Sequence, residues 1–356
     1  MKQNSCIKKS LLWDITRRCN LSCIHCYNSG GLFTLQELNV TSDYKNIVDR
    51  IAQIGINHIH LLGGEPLLVK GLEDLLSYAS SKNIVSSINT NGTLLSEKMI
   101  YKLIELNVSQ LTISLDGATE LTNDSVRGIG NYKQVTENIR QTMSAIEQAE
   151  SSMLVQVATV VTKQNVSTIH RMPMILQEIG VKHLDVLKLY EYGNAVNNEN
   201  ILYVNDEEYL NALGKLLVEC YRNQIFAQFD CKPKVLELLN LRYGFSTNYE
   251  VVDFAGCSAG KRILFMDNKG YIFPCGPYSH EVSNPEVITN IFDDNYIEQI
   301  AKMEKCICER IYKFSSPVRP TCLKCRFSDW CNGCAICYKS HENLCETAIQ
   351  LFQSKL

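Results

Sequence analysis

The 356-residue chain reads as an α/β protein: a partial (β/α)6 barrel of the TIM type followed by a cysteine-rich C-terminal domain. Two observations predict this. Between Leu11 and about Tyr190, short β-rich runs alternate six times with amphipathic stretches, and such alternation builds a parallel sheet with right-handed crossovers. The 16 cysteines are unevenly spread: none falls between Tyr27 and Glu219, and ten lie from Cys257 to Cys345. That last segment has few long periodic runs, so metal ligation rather than a large core is expected to hold it.

The strands are expected at Leu11 to Thr16, His58 to Leu62, Val85 to Asn89, Leu111 to Leu115, Leu154 to Val161 and His183 to Leu189, each a short run rich in β-branched residues. Helical patterns separate them. In Ser42 to Ile54 the residues Ile47, Val48, Ile51 and Ile54 share one face, with Ser42 as the expected cap and Gly55 as the stop. Six units fall short of the eight that close a full barrel, leaving a lateral opening wide enough for a large substrate. From about Glu191 to Val252 the pattern is mainly helical (Asp206 to Asn223, Lys234 to Tyr243) and reads as a bridge. The expected division is therefore a barrel over 1–190, a bridge over 191–252 and the cysteine-rich domain over 253–356.

Bulk composition narrows the partners. Charged residues make up 21% and apolar ones 45%, as in ordinary globular proteins. A net charge of -3 gives no reason to expect nucleic acid or an anionic membrane. Met1 to Ser10 is polar, and no apolar run approaches the ~20 residues that span a bilayer. A cytoplasmic location is expected, and in a reducing compartment so many cysteines are not mainly disulfides.

The strongest chemical statement is Cys19-Asn20-Leu21-Ser22-Cys23-Ile24-His25-Cys26, directly after the first strand. A cubane 4Fe-4S cluster takes four thiolates, so a loop offering three leaves one iron open to a cofactor or substrate. A zinc site is the alternative, but structural zinc favours four ligands in paired Cys-x2-Cys units. Gly63-Gly64-Glu65-Pro66 follows the second strand: the glycines permit close backbone approach, and Glu65 supplies a carboxylate. Thr90-Asn91-Gly92 follows the third strand and Ser114-Leu115-Asp116-Gly117 the fourth, at the edge where barrels keep their chemistry. Asn91 and Asp116 are read as turn residues.

With these residues the chain resembles the radical S-adenosylmethionine (SAM) superfamily, whose signature is Cys-x3-Cys-x-aromatic-Cys; His25 takes the aromatic position. The resemblance implies a 4Fe-4S cluster on Cys19, Cys23 and Cys26, with SAM chelating the open iron and being cleaved reductively to a 5′-deoxyadenosyl radical. It assigns Gly63, Gly64 and Glu65 to the amino group of the methionine moiety, and Ser114 and Arg127 to the carboxylate and ribose region. A guanidinium suits a carboxylate because its planar fork binds both oxygens. Val161, Thr162 and Leu187 to Tyr190 would border the adenine or belong to the core.

The C-terminal pattern is Cys257-x12-Gly270-x4-Cys275, then Cys322-x2-Cys325-x5-Cys331-x2-Cys334-x2-Cys337, then Cys345. It resembles the SPASM domain of peptide-modifying radical SAM enzymes, which carries two auxiliary 4Fe-4S clusters; where that family expects Cys-x3-Cys, Ala335 stands between Cys334 and Cys337. By analogy Cys257, Cys275 and one of Cys334 or Cys337 serve one cluster, and Cys322, Cys325, Cys331 and Cys345 the other. A zinc ribbon on Cys322, Cys325, Cys331 and Cys334 is the alternative. Cys6, Cys220, Cys231, Cys306 and Cys308 read mainly as small buried residues, with a hydrogen donor or a further ligand as alternatives.

The resemblance implies modification of a ribosomally made peptide or protein by cross-linking, epimerisation or oxidation. The partners it implies are a peptide substrate and a reductase such as flavodoxin or ferredoxin; with only eighteen residues before Cys19, leader recognition is expected from a separate leader-binding protein or from the C-terminal domain itself. Gly276 departs from the anaerobic sulfatase maturases, which typically carry Asp after the matching cysteine. A tetrapyrrole or another small molecule is the alternative substrate, and a non-catalytic electron carrier or scaffold the alternative class.

Overall fold

A computed structural model describes residues 9–29, 40–244, 259–260, 262–280, 288–314 and 343–352. The strands and helices alternate in the order β1 (Lys9–Thr16), α1 (Val40–Gln53), β2 (Ile56–Gly63), α2 (Leu72–Ser81), β3 (Val85–Thr90), α3 (Glu97–Glu105) and β4 (Gln110–Ser114). Two helices, α4 (Glu120–Arg127) and α5 (Asn131–Gln148), lead to β5 (Leu154–Val160), then α6 (Met172–Glu178) and β6 (His183–Leu187). The six expected strands are all present, within two residues at each end. Helix α1 starts at Val40, so Ser42 lies inside it rather than capping it; the Ser42 hydroxyl donates instead to Asp43 Oδ1 at 3.0 Å.

The segment expected to be a helical bridge holds α7 (Asn194–Asn197), α8 (Glu199–Leu202), α9 (Asp206–Arg222) and α10 (Pro233–Tyr243). It also holds a strand, β7 (Phe226–Phe229), which pairs in parallel with β6. Further on come β8 (Ile263–Met266), β9 (Tyr271–Phe273), α11 (Gly276–His280), β10 (Thr289–Asn290), α12 (Tyr296–Phe314) and α13 (Leu344–Phe352). Strand β8 lies parallel to β1, so the sheet runs β10-β9-β8-β1-β2-β3-β4-β5-β6-β7. Its edges, β10 and β7, do not pair, which leaves the sheet open on one side.

Alternation along each strand sorts the two faces. Leu11, Trp13, Ile15, Ile59, Leu61, Ile88, Leu111, Ile113, Val155, Val157, Leu184 and Val186 join the helices' apolar residues in one core. The residues between them face the other way and are largely polar. The sheet curls about this polar face: the loop after β1 hydrogen-bonds to the segment after β6. In a flat sheet those strands would stand about 24 Å apart, at ~4.8 Å per step. The C-terminal part is tied to the first helix, where Arg50 Nη1 donates to the carbonyls of Ile291 (3.0 Å) and Asp293 (3.1 Å), and the Tyr296 hydroxyl donates to Gln53 (2.6 Å).

Candidate active site

The cysteine loop leaves β1 at the end of the sheet where β2, β3 and β4 also finish. Its first turn is pinned by the glycine pair of Gly63 to Pro66. Gly64 N donates to the Thr16 carbonyl (2.6 Å) and Glu65 N to that of Arg18 (2.8 Å). A Cβ on Gly63, whose φ is +114°, would lie 2.5 Å from the Thr16 carbonyl oxygen; one on Gly64 would lie 2.2 Å from that of Arg18. The close approach that demands glycine is thus made by the chain entering the cysteine loop.

Glu65 is fully buried and caps the turn Pro66–Leu68. Its Oε1 accepts from Leu67 N (3.1 Å) and the Thr90 hydroxyl (2.8 Å), and its Oε2 from Asn91 N (2.7 Å). Burial raises its pKa, and these donors oppose the rise. The carboxylate therefore joins the ends of β2 and β3. Asn91, read from sequence as a turn residue, also reaches the cysteines: its Nδ2 donates to Asn20 Oδ1 (2.8 Å) and lies 3.7 Å from Cys19 Sγ. Leu21 N donates to the same sulfur at 3.5 Å.

Behind the loop, Asp116 is wholly buried and makes two ion-pair contacts through Oδ2: Arg127 Nε at 2.6 Å and His25 Nε2 at 2.9 Å. Its Oδ1 accepts from Val160 N (2.7 Å), while Asn165 donates to its carbonyl (2.6 Å). Burial alone would raise the Asp116 pKa; the Arg127 and His25 charges beside it outweigh burial and hold it well below the usual carboxylate range. So Asp116 is more than a turn residue: it links the aromatic-position histidine to the arginine. Helix α4 delivers that arginine. A Thr119–Thr122 capping box starts the helix, and Gly128 (φ +110°) ends it directly after Arg127.

A second brace was not legible in sequence. Asn194 N donates to the Cys26 carbonyl (2.8 Å), Asn194 Nδ2 to that of Cys23 (3.0 Å) and Asn198 Nδ2 to that of Ile24 (3.1 Å). Gly193 must be glycine here, because a Cβ would meet the Tyr27 carbonyl oxygen at 2.4 Å. Ile24 N in turn donates to the Val126 carbonyl (3.1 Å), tying the loop to α4. At the loop's end Asp14 accepts from the Tyr27 hydroxyl (3.1 Å) and Asn28 Nδ2 (2.6 Å), and burial pushes its pKa up to about 7.

The loop fits a 4Fe-4S cluster. Its three thiols are close enough for the charges of Cys19 and Cys26 to raise the pKa of Cys23, which burial pushes up to about 11. Amide N–H groups meet the Cys19 sulfur, and His25 Nδ1 is buried without a hydrogen-bond partner. Ser114 ends β4 opposite Ala158, half-buried at the same edge. Val161 and Thr162 are buried, and Thr162 N donates to Asn165 Oδ1 (2.9 Å).

Of the C-terminal cysteines, Cys275 lies half-buried just before α11, and Cys345 in the first turn of α13. Cys257, Cys322, Cys325, Cys331, Cys334 and Cys337 fall outside the described residues, as do Cys6 and the side chains of Cys306 and Cys308. Cys220 and Cys231 are buried in the core, where burial raises both thiols. Tyr192 stacks on His280 of α11 (centroids 4.6 Å apart), and Tyr27 meets the same ring edge-on at 5.9 Å. The cysteine loop thus touches the segment that follows Cys275.

A largely parallel open sheet, a three-cysteine loop at its C-terminal edge and a Gly-Gly-Glu-Pro segment beside that loop are the parts of a radical SAM domain, and residues 13–172 match the Radical SAM superfamily. That superfamily uses a 4Fe-4S cluster and SAM. Among curated relatives, the AdoMet-dependent heme synthase of Methanosarcina barkeri is 25% identical over 91% of this chain and 90% of its own length. Mycofactocin maturase MftC of Mycolicibacterium smegmatis is 24% identical over 91% of this chain and 76% of its own. Among solved structures, SuiB of Streptococcus suis bound to S-adenosylmethionine has a TM-score of 0.69 at 16% identity, covering 93% of this chain and 74% of SuiB. Among the described residues, no helix is long and apolar enough to cross a membrane.

Proposed function

We propose that this radical SAM enzyme modifies a ribosomally synthesised peptide or protein. The observation that carries the reading is the relation to mycofactocin maturase, which extends through 91% of the chain and so beyond the domain at 13–172 into the cysteine-rich part. The spacing Cys322-x2-Cys325-x5-Cys331 supports it, as does the shared fold with SuiB, a protein also solved with its precursor peptide SuiA.

Each group has a task in this reading. Cys19, Cys23 and Cys26 hold the cluster, whose bound SAM supplies a 5′-deoxyadenosyl radical able to take hydrogen from an unactivated C–H bond. Gly63, Gly64, Glu65 and Ser114 border the methionine end, Arg127 and His25 are oriented by Asp116, and the surrounding walls exclude water. Cys257, Cys275, Cys322, Cys325, Cys331, Cys334, Cys337 and Cys345 hold two auxiliary clusters within a SPASM-type domain at 253–356. A flavodoxin or ferredoxin serves as reductant and a separate protein presents the leader.

The second reading, a tetrapyrrole substrate, is favoured by the relation to the heme synthase. Co-expression with the peptide encoded beside the gene, followed by mass spectrometry, separates the two. Loss of two hydrogens indicates a cross-link and unchanged mass with altered stereochemistry an epimer. A peptide left unmodified beside a consumed porphyrin sinks the first reading. Iron near twelve per chain after anaerobic reconstitution supports three clusters, whereas about four with zinc supports the ribbon.

A further inference from the structure

The concave face of the sheet, below the cysteine loop, is a built polar surface that the cofactor reading does not use. Asn89, Thr112, Gln156 and His183 stand in register across β3, β4, β5 and β6 and form one rung of it. The rung lies two residues below Ser114, and so directly beneath the edge that carries the cofactor site.

Hydrogen bonds fix how these side chains present themselves. His60 Nε2 meets Asn89 Oδ1 at 2.7 Å, and Gln110 Nε2 donates to Gln156 Oε1 (2.7 Å) and to the Thr112 hydroxyl (3.0 Å). The wall thereby occupies the acceptor atoms of Asn89 and Gln156. Their amide N–H groups have no partner among the described residues and are left to meet acceptors on a ligand.

The charges on this face point the same way. No Lys or Arg occupies a concave position of β1 to β8 among the described residues. Lys9 sits on the opposite face, paired with Glu304; Arg127 is held by Asp116; and Lys188, just past β6, is buried 5.3 Å from the Tyr190 ring centroid. The acidic residues that do face inward are Asp14 and Asp185, both pushed up to about 7 by burial, with the Asp230 charge adding to the rise at Asp185. His60 is held neutral by burial, its pKa lowered to about 4. Arg17, just past β1, offsets part of the rise at Asp14. On β3 to β6, which carry the Asn89 rung, no Lys or Arg stands among the described residues. A carboxylate entering beside the rung would therefore lose its water without gaining a cation from those strands, and a buried charge without a partner is strongly disfavoured. A peptide carbonyl would find the free amide donors.

We infer that the sheet's concave face selects an uncharged, amide-bearing segment, with Asn89 and Gln156 as specificity-determining residues, and rejects substrates that carry carboxylates at or beside the reacting carbon. This rests on the peptide-modifying reading. It sets the substrate apart from a tetrapyrrole bearing carboxylate arms.

The test uses the full chain, anaerobically reconstituted, with SAM, dithionite and the leader-presenting protein of the proposed function. The probes are the precursor peptide encoded beside the gene, the same peptide with Asn or Asp placed next to the reacting residue, and iron coproporphyrin III. The Asn peptides should react within about threefold of the natural one and the Asp peptides at least tenfold more slowly. The variant Gln156→Lys should reverse that order, slowing the natural peptide and restoring the Asp peptide, which mere damage to the wall would not do. If this variant does not fold, the wild-type rates decide alone. Equal rates for the Asp and Asn peptides, or a natural acidic residue at or beside the reacting position, overturn the inference and leave peptide modification standing. Consumption of the porphyrin with the peptide untouched overturns both, as does a peptide untouched by a preparation that cleaves SAM.

Discussion

Asp116 and Arg127 meet at 2.6 Å in a fully buried pair directly behind the cysteine loop, and His25 shares the same carboxylate oxygen. Removing one partner of a buried pair leaves an uncompensated charge, a loss of about 3–5 kcal/mol. Asp116→Ala should therefore lower unfolding stability by that amount in urea melts of the cluster-free protein. Asp116→Asn, which keeps the shape and the acceptor for Val160 N, should lose less yet still weaken SAM binding to the reconstituted enzyme. Unchanged affinity in Asp116→Asn would show that the pair serves stability alone.

The glycine positions make a sharper comparison. A methyl group on Gly193 would run into the Tyr27 backbone, whereas one at Gly55 meets nothing within 4 Å. Both glycines have positive φ, so each alanine carries a conformational cost of order 1 kcal/mol. Only Gly193→Ala should additionally displace the cysteine loop, and iron retained after reconstitution should fall in it and stay near wild type in Gly55→Ala. Iron analysis of the two side by side checks this.

Glu65 accepts three hydrogen bonds that hold the ends of β2 and β3 together. Glu65→Gln keeps one carbonyl oxygen and sets an NH2 group against a donor, a loss of roughly 1–3 kcal/mol. The cluster-free protein should show it as a lower urea midpoint with an unchanged slope.

The pH dependence follows from Asp14 and Asp185. Both carboxyls have folded pKa values of about 7, raised by burial above an unfolded value near 4. Between about pH 4 and pH 7 the folded state binds more protons than the unfolded one, so stability falls as pH rises through this window and levels off above it. Urea unfolding of the cluster-free protein should give a lower free energy at pH 8 than at pH 5. Asp14→Asn should reduce that difference, and an equal slope in wild type and variant would refute the assignment.

Much of this could be read from the chain alone, for a physical reason. Strands such as β2 and β5 announce themselves by local alternation, and Cys19, Cys23 and Cys26 lie within eight residues of one another. Chemistry that is local in sequence is legible there. The role of Asp116 was not, because its partners lie on three separate elements and Ser-Leu-Asp-Gly looks like any strand-ending turn. Gly193, Asn194 and Asn198 were missed for the same reason: they act on carbonyls about 170 residues away, and a Gly-Asn pair after β6 was their one local signal. Strand β7 is four residues long with a half-exposed pattern, too short to stand out from the helices beside it.

The bracing of Cys23, Ile24 and Cys26 by Asn194 and Asn198 also orders events at the ribosome. A nascent chain that has just displayed its three thiols still lacks the residues that will fix them, and must be extended past residue 198 before the loop can settle. Iron and sulfide delivered early would meet a pliable hairpin of thiols, and delivered late, a mould already set. Contacts of such long sequence separation form slowly, so the brace on the cysteine loop belongs to the later-forming part of the fold.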